Sequence, residues 1–303
     1  MPKSASWAHT SRRGGLLLAA LLVGGADDAG FTPGAQPDAV IAGPQGAVGQ
    51  FAVECGFAHA AHDDPLVHHG HAGMSHRHDF FGNTTTNADS TYESLLAGDT
   101  TCEQRLDTAA YWAPSLLDGD GDPVEPRRAI AYYRAGIDVD PTTVEPYPPG
   151  MAMIAGDAAA TAPQPLSVVS WSCGPGGPRR DSPPVCPYGA GLRLHLTFPD
   201  CWDGVHATSD DHRSHVAYSY RGECGDAYPV PIPQLQLVID YVPVAGDPGV
   251  LSLASGPITS AHADFWNAWD QAKLERDVRS CLYLDRVCSL GDDSSSRRLG
   301  TGD

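Results

Sequence analysis

Positive charge is scarce in this chain. Of its 303 residues, 19 are lysine or arginine and 37 are aspartate or glutamate, so the formal net charge is −18. DNA, RNA and anionic membranes are bound through clusters of lysine and arginine. The composition argues against all three as partners, and we expect the acidic balance to serve solubility.

Common catalytic motifs are missing as well. The chain has no G-x-S-x-G nucleophile elbow, no glycine-rich phosphate loop and no H-E-x-x-H zinc motif. Each motif holds its reacting groups in a particular local geometry. Their absence counts against classical serine hydrolases, nucleotide enzymes and common metalloproteases.

Long apolar runs are also lacking, since the apolar stretch at 14–25 (GGLLLAALLVGG) is too short to span a bilayer. Arg12 and Arg13 precede it, and a short apolar run behind positive charge is typical of an export signal. We predict a signal peptide over residues 1–26, using the Sec or the twin-arginine route. The protein is therefore expected to be secreted, without a membrane span.

Eight cysteines follow the predicted signal, and none forms a C-x-x-C pair. In an exported chain, an even number of cysteines favours disulfides over zinc. Many connectivities are possible, and we expect pairing between neighbours in sequence. The expected bridges are Cys55–Cys102, Cys173–Cys186, Cys201–Cys224 and Cys281–Cys288.

Glycine (33) and proline (26) are abundant, which favours turns and short strands over long helices. Apolar and polar residues alternate over 192–198 and 235–241, as in half-buried strands, and 129–135 and 166–172 are further strand candidates. An apolar stripe at helical spacing predicts a C-terminal helix. The stripe consists of Phe265, Trp266, Trp269, Leu274, Val278, Cys281 and Leu282.

These patterns predict a mainly β fold, with a single β-sandwich-like domain, long loops, disulfides and a C-terminal α-helix. We expect the domain over residues 51–290. A flexible linker is predicted at 27–50 and a disordered tail at 291–303. We expect a monomer.

Two short histidine pairs, His76/His78 and His212/His215, are the most informative feature of the chain. Residues two apart share a face of a strand, and residues three apart share a face of a helical turn. Neutral imidazole is the commonest metal ligand, and histidine titrates near neutrality. If the pairs converge together with His262, they form a polar site for metal binding or proton transfer.

A histidine-rich set with one or two carboxylates suits Zn, Mn, Fe or Cu, whereas calcium prefers oxygen ligands. The nearest carboxylates in sequence are Asp79, Asp203, Asp211 and Asp264. The predicted metal ligands are His76, His78, His212, His215 and His262. The predicted catalytic residues are His76, His78, His212, His215, Asp211 and Asp203. The alternative is that these histidines only hydrogen-bond loops to one another.

Several segments together resemble the secreted "domain of unknown function 1996" proteins of fungi and bacteria. They include 75–83 (SHRHDFFGN), 148–157 (PPGMAMIAGD), 198–204 (FPDCWDG), 211–218 (DHRSHVAY) and 262–270 (HADFWNAWD). The resemblance implies no particular activity. Fungal members are often joined to carbohydrate-binding modules, which implies an association with polysaccharides.

Four residues are candidates for binding a sugar: Trp112, Arg193, Trp202 and Tyr218. Aromatic rings can stack on sugar rings, and an arginine can recognise a carboxylated sugar. The alternative is that Trp112 and Trp202 pack in the core and that Arg193 pairs with one of the abundant acids.

We expect an extracellular enzyme that acts on a polysaccharide by hydrolysis or lyase chemistry, with a His/Asp site that holds a divalent transition metal. Two alternatives stay open. One is a non-catalytic carbohydrate- or metal-binding module of the envelope or extracellular space. The other is a disulfide-stabilised structural protein.

Overall fold

The computed structural model of the protein describes residues 49–243 and 247–289, together with the backbone of strand Arg297–Arg298. All of these residues lie in one compact unit, which comprises residues 32–303. The predicted signal peptide lies outside the described residues. So does the predicted linker, apart from Gly49 and Gln50, and so does the predicted tail, apart from Arg297 and Arg298.

Short strands dominate the described part of the chain. They are β1 (Gln50–Ala61), β2 (His78–Gly82), β3 (Ala110–Pro114), β4 (Leu116–Leu117), β5 (Pro126–Arg134), β6 (Ala152–Gly156), β7 (Val169–Cys173), β8 (Leu192–Thr197), β9 (Cys201–Trp202), β10 (Val216–Ala217), β11 (Val230–Pro231), β12 (Gln234–Tyr241), β13 (Ser252–Leu253), β14 (His262–Trp266), β15 (Val287–Ser289) and β16 (Arg297–Arg298).

Helices are few and short. They are α1 (Tyr92–Leu96), α2 (Gln271–Asp277), a π-helical turn (Val278–Leu282) and three 3₁₀ turns (Pro141–Thr143, Pro248–Val250 and Ile258–Ser260). The mainly β prediction is confirmed, since strand residues make up 35% of the described residues against 11% in helices. None of the described helices is both long enough and apolar enough to cross a membrane.

The main sheet has the strand order β6-β14-β3-β2-β1-β5-β12-β8-β7, with β15 and β16 attached beside β1. It is nearly closed, because β6 at one end packs near β8, the second strand from the other end. Two small sheets, β10-β9-β11 and β13-β4, lie outside this path. A nearly closed sheet has an inner face that can be filled with apolar side chains and an outer face that loops can cover.

Alternate residues of the strands fill the inside of the sheet. Leu192, Leu194 and Leu196 of β8 are buried there, as are Leu235 and Leu237 of β12. The strand predictions at 192–198 and 235–241 are therefore confirmed, and the weaker candidates correspond to β5 and β7. A second, smaller apolar cluster lies on the outer face, where Phe80, Trp112 and Ile154 pack with side chains from α1 and from the loop at 62–77.

The C-terminal helix is shorter than the apolar stripe predicts. Phe265 and Trp266 belong to strand β14, and α2 begins only at Gln271. The side chain of Asp270 accepts a hydrogen bond from the Lys273 amide at 2.8 Å, which caps the helix at this point. The part of the prediction beyond residue 270 is confirmed, and the part before it is wrong.

All four expected disulfides are present: Cys55–Cys102, Cys173–Cys186, Cys201–Cys224 and Cys281–Cys288. No described cysteine is free. The protein therefore offers no thiol for nucleophilic catalysis or metal binding among the described residues.

Candidate metal centre

The candidate metal centre lies on the outer face of the sheet, where β2, β3 and β14 run side by side. Phe80 of β2 is opposite Trp112 of β3, and Trp112 is opposite Asp264 of β14. His78 precedes Phe80 by two residues, and His262 precedes Asp264 by two. Because side chains two residues apart share a face, His78, His262 and Asp264 all project from the outer face.

Three histidine rings meet at this place. The ring centroids of His76 and His78 are 4.2 Å apart, and those of His76 and His262 are 5.1 Å apart. The rings of His78 and His262 are separated by 5.9 Å, although they come from strands with β3 between them. The predicted convergence of distant histidines therefore occurs for these three.

Backbone carbonyls fix the tautomers of the two strand histidines. The Nδ1–H of His78 donates to the Asp63 carbonyl at 2.9 Å, and the Nδ1–H of His262 donates to the Ser260 carbonyl at 2.9 Å. Since a carbonyl oxygen can only accept, each ring keeps its lone pair on Nε2. The Nε2 atom of His78 is buried without a hydrogen-bond partner among the described residues, and so is that of His76. This is the arrangement that metal-binding histidines adopt in proteins.

Burial keeps these imidazoles neutral. It lowers the pKa of His262 to about 4 and the pKa of His78 well below the ordinary value, and the neighbouring histidines lower both further. Burial also lowers the pKa of His76, which is only half-buried. All three rings are therefore uncharged at neutral pH, as metal ligands must be.

Two carboxylates join the histidines. Asp264 is fully buried, and neither of its side-chain oxygens has a hydrogen-bond partner among the described residues. Burial, followed by the nearby Asp64, raises the pKa of Asp264 well above the ordinary value. Asp64 is also buried, and its Oδ1 accepts from the amides of Leu66 and Val67 at 3.0 and 3.1 Å.

These side chains form two overlapping groups of potential ligands, His76/His78/His262 and Asp64/His78/Asp264. Within each group, one ligand atom per residue lies within 4.8 Å of the others. Tetrahedral zinc places its ligand atoms about 3.3 Å apart, so small side-chain movements would complete the coordination. A third group contains Cys55 and Cys102, which are bonded to each other and so are not available to a metal.

His212 lies beside this centre in a different role. Its Nε2–H donates to the Leu66 carbonyl at 3.1 Å, and its Nδ1 accepts from the Thr208 hydroxyl at 2.7 Å. Its own carbonyl accepts from the Ile154 amide at 3.1 Å. His212 therefore joins the loop at 206–215 to the edge of β6 and to the loop at 62–77, and both ring nitrogens are engaged.

The other predicted residues of this segment maintain the loop. His215 is hydrogen-bonded through Nδ1 to the Ser209 hydroxyl at 2.9 Å. Asp211 Oδ1 accepts from Ser209, Arg213 and Ser214, and the hydrogen bond from the Ser214 amide is the main reason that its pKa is well below the ordinary range. None of these residues belongs to the two ligand groups.

Asp203 pairs with a histidine that the sequence analysis did not single out. Its Oδ2 is 2.6 Å from Nδ1 of His206, and its Oδ1 accepts from the amides of Val205 and His206. The carboxylates that accompany the clustered histidines are thus Asp64 and Asp264, rather than Asp203 and Asp211.

Three of the predicted sugar-binding residues are engaged within the protein. Trp112 is fully buried and stacks on Phe80, with ring centroids 5.8 Å apart. Arg193 is buried and forms an ion pair with Asp240, with 3.0 Å between Nη2 and Oδ2. Trp202 is half-buried, and its Nε1 donates to the His206 carbonyl at 2.7 Å.

Tyr218, the fourth, lines a cavity of about 360 Å³ next to the centre. Its hydroxyl donates to the Thr197 carbonyl at 2.8 Å. Ile154, Gly156 and Arg213 also line the cavity. Ile154 is opposite Asp264 and Gly156 is opposite His262 in the β6–β14 ladder, so the cavity adjoins the ligand groups along β6. Cavities of this size accommodate small ligands.

Asp64 is the ligand candidate that sequence reasoning missed. It follows Asp63 in a loop, and no periodicity links it to the histidine pairs. Asp264 was a candidate by proximity in sequence, and the alternation His262-Ala263-Asp264 is the signal that could have identified it. On a strand this alternation places both polar side chains on one face.

The fold and this centre define a mainly β, disulfide-bonded domain whose His/Asp groups could hold a metal ion. The chain belongs to the family described as Domain of unknown function (DUF1996), whose model matches residues 64–269. All five ligand candidates fall within that range. No curated protein and no solved structure matches the chain.

Proposed function

We propose that this protein is an exported, metal-dependent enzyme that acts on an extracellular polysaccharide, by hydrolysis or lyase chemistry. The metal would be a divalent transition ion held by His76, His78 and His262, with Asp264 as the carboxylate ligand. One observation carries the proposal. The buried Asp264 has no hydrogen-bond donor among the described residues and stands beside His78, whose Nε2 lone pair is buried without a hydrogen-bond partner among them. A bound cation would compensate this burial.

Zinc is the best candidate among Zn, Mn, Fe and Cu. Three imidazoles and one carboxylate make four ligands of the type that zinc takes in tetrahedral sites. Calcium prefers a shell made mainly of oxygen atoms and would suit the three histidines poorly. Asp64 is an alternative carboxylate ligand, because it belongs to the group that shares His78.

The chain's own residues supply positioning and access. The Asp63 and Ser260 carbonyls orient His78 and His262. His76 is the least buried histidine of the group, although its Nε2 atom is itself buried, so access to the centre would be from the side of this ring. A bound metal ion would polarise a substrate oxygen or lower the pKa of a bound water. The cavity beside Tyr218 and Arg213 provides space for part of a ligand.

Four disulfides support the extracellular assignment, since disulfides persist in oxidising compartments. The predicted export signal agrees with them. The polysaccharide is proposed from the association of the family with carbohydrate-binding modules.

The test combines metal depletion with product analysis. The full chain is stripped with a chelator, reloaded with Zn, Mn, Fe or Cu, and incubated with a panel of extracellular polysaccharides. New reducing ends report hydrolysis, and unsaturated products report a lyase. We expect His76→Ala to lower turnover by about 100-fold or more with little change in the thermal stability of the metal-free protein, and the exposed control His71→Ala to leave turnover unchanged. Equal turnover in the stripped and reloaded proteins would contradict the metal-dependent mechanism.

A second candidate is a non-catalytic metal- or carbohydrate-binding module. The burial of His78, His262 and Asp264 favours it, because closed sites are typical of structural zinc. This candidate predicts tight metal binding or glycan binding without any product from the same panel.

A further inference from the structure

A second cluster of charged groups lies on a different part of the outer face, across β5, β12 and β8. Asp240 accepts ion pairs from both Arg128 and Arg193, and Arg128 also pairs with Glu54. These four side chains form a neutral network. Two further arginines, Arg134 and Arg179, stand beside it.

Arg134 has no acidic partner among the described residues. Its guanidinium forms no hydrogen bond or ion pair with any described residue, and its Nε is buried. After burial, the main influence on the pKa of Arg134 is the neighbouring Arg179, which lowers it, and no described carboxylate contributes. In a chain with a formal charge of −18, an arginine without a nearby acid is unexpected.

Among the described residues, Arg179 is contacted by neutral hydrogen-bonding groups. Its Nη1 approaches the Ser170 hydroxyl at 3.4 Å, and its Nη2 approaches Oε1 of Gln236 at 3.5 Å. These distances are at the upper limit for hydrogen bonds. In the β12–β5 ladder, Arg134 is opposite Gln234, and Gln236 lies two residues further along β12 on the same face. The contact with Gln236 therefore places Arg179 next to Arg134.

The electrostatics of the neighbourhood agree with excess positive charge. Burial and the adjacent Arg179 lower the pKa of Arg134 to about 10, and burial and Arg193 do the same for Arg179. His195 lies on the same face, and burial followed by these three arginines lowers its pKa to about 2. His195 is therefore neutral, and its Nδ1 is buried without a hydrogen-bond partner among the described residues.

We propose that Arg134 and Arg179 bind a small oxyanion, the carboxylate or sulfate group of a ligand. Guanidinium groups present pairs of N–H donors that match the spacing of oxyanion oxygens. Both have donors to spare, because Arg134 makes no hydrogen bond through its guanidinium with the described residues and Arg179 makes two long ones. Arg193 is neutralised by its ion pair with Asp240, which links β8 to β12 beside the site.

This anion site is separate from the proposed metal centre. It lies on β5, β12 and β8, whereas the metal ligands come from β2, β14 and the loop at 62–77. Loss of one is therefore not expected to remove the other, and the two proposals can fail independently.

The test is a titration of the full chain with inorganic sulfate, followed by competition with trigalacturonate. Arg134→Gln and Arg179→Gln each remove one guanidinium. Arg127→Gln removes the same charge from an exposed position on the same strand as Arg134, so it serves as the matched control. Arg179 is exposed, so its replacement is compatible with a folded protein even if Arg134→Gln is not.

We expect saturable sulfate binding by the wild-type protein, weakened about tenfold or more in Arg134→Gln and Arg179→Gln and unchanged in Arg127→Gln. Competition by trigalacturonate would support the site and identify a carboxylated glycan as the source of the anion. Sulfate binding without that competition would support it with sulfate as the source. Absence of saturable binding, or equal weakening in Arg127→Gln, would overturn it.

Discussion

His78 and Asp264 face the same point across strand β3, and a ligand atom of one lies within 4.8 Å of a ligand atom of the other. Both side chains are fully buried. A neutral imidazole with a free lone pair next to a carboxyl without a donor is costly in an apolar interior. Under the proposal, compensation by a bound cation would account for the occurrence of these groups together.

Asp264→Asn should remove the stabilisation that a metal provides. At a zinc concentration about 100 times the dissociation constant, binding adds about 2.7 kcal/mol to the free energy of unfolding. For a domain of this size that corresponds to a rise of roughly 5–10 °C in the melting temperature. Calorimetry with and without zinc should show this rise in the wild-type protein and a much smaller one in the variant. Asp157→Asn, an exposed change near the end of β6, is the control.

His212→Ala distinguishes a ligand from a residue that positions a loop. Because His212 engages both ring nitrogens within the protein, we expect its loss to weaken zinc binding less than about tenfold. Loss of a true ligand such as His78 should weaken binding by about 100-fold or more. Competition against a coloured chelator measures both affinities. A loss in His212→Ala as large as that in His78→Ala would place His212 in the metal shell.

Hydrogen exchange provides a second readout for His212. Its contact with the Leu66 carbonyl joins two loops. Without it, amides in the loop at 62–77 should exchange faster, whereas those of β12 should be unaffected.

Two disulfides of different span should differ in their effect on stability. Cys55–Cys102 closes a loop with a sequence separation of 47, and Cys281–Cys288 one of 7. Chain entropy gives about 4 kcal/mol for the first and about 2.4 kcal/mol for the second. Urea unfolding of the two double alanine variants tests the order, which a larger loss for the short loop would contradict.

A buried carboxyl in the core should make stability depend on pH. Asp107 accepts hydrogen bonds from Tyr111 Oη at 2.8 Å and from the Ala109 amide at 3.0 Å, and burial raises its pKa to about 8. Because the pKa is higher in the folded than in the unfolded state, the protonated group stabilises the fold below about pH 4. This contribution is lost as the pH rises towards 8.

Asp107→Asn should therefore flatten the profile of unfolding free energy between about pH 4 and 8, by up to about 1.4 kcal/mol per pH unit. Chemical denaturation at several pH values measures the profile. The exposed change Asp99→Asn should leave it as in the wild-type protein, and an unchanged slope in Asp107→Asn would contradict the assignment.

Local patterns predicted much of the fold. The alternation of leucines in β8 and β12 identified both strands, and proximity in sequence identified the disulfides. Strand β1 was not predicted from the sequence. Its pairing with β2 shifts register between Phe57 and His59, so a regular alternation does not run through the strand, and its first residue lies in the expected linker. The stripe from Phe265 to Trp269 matches helical spacing, but pairing of β14 with β3 and β6 decides its conformation, and such long-range pairing is not visible in a local pattern.

The candidate metal centre could be predicted only in part. His76 and His78 are close in sequence and share one place in the fold, and His262 joins them through strand pairing. The sequence alone could not show that the second pair, His212/His215, has a different role. The role of His212 follows from its hydrogen bonds to Thr208 and Leu66, which only the structure shows. The position of Asp64 near these residues depends on how its loop packs over β2 and β14, which no local sequence pattern shows.

The most direct measurement is anomalous scattering from a crystal of the zinc-loaded full chain, recorded on both sides of the zinc absorption edge. We predict one strong peak within about 2.3 Å of the Nε2 atoms of His78 and His262, with His76 and a carboxylate oxygen completing the shell. A peak confined to the exposed His69 and His71, or no peak on the outer face of β2 and β14, would contradict the metal centre.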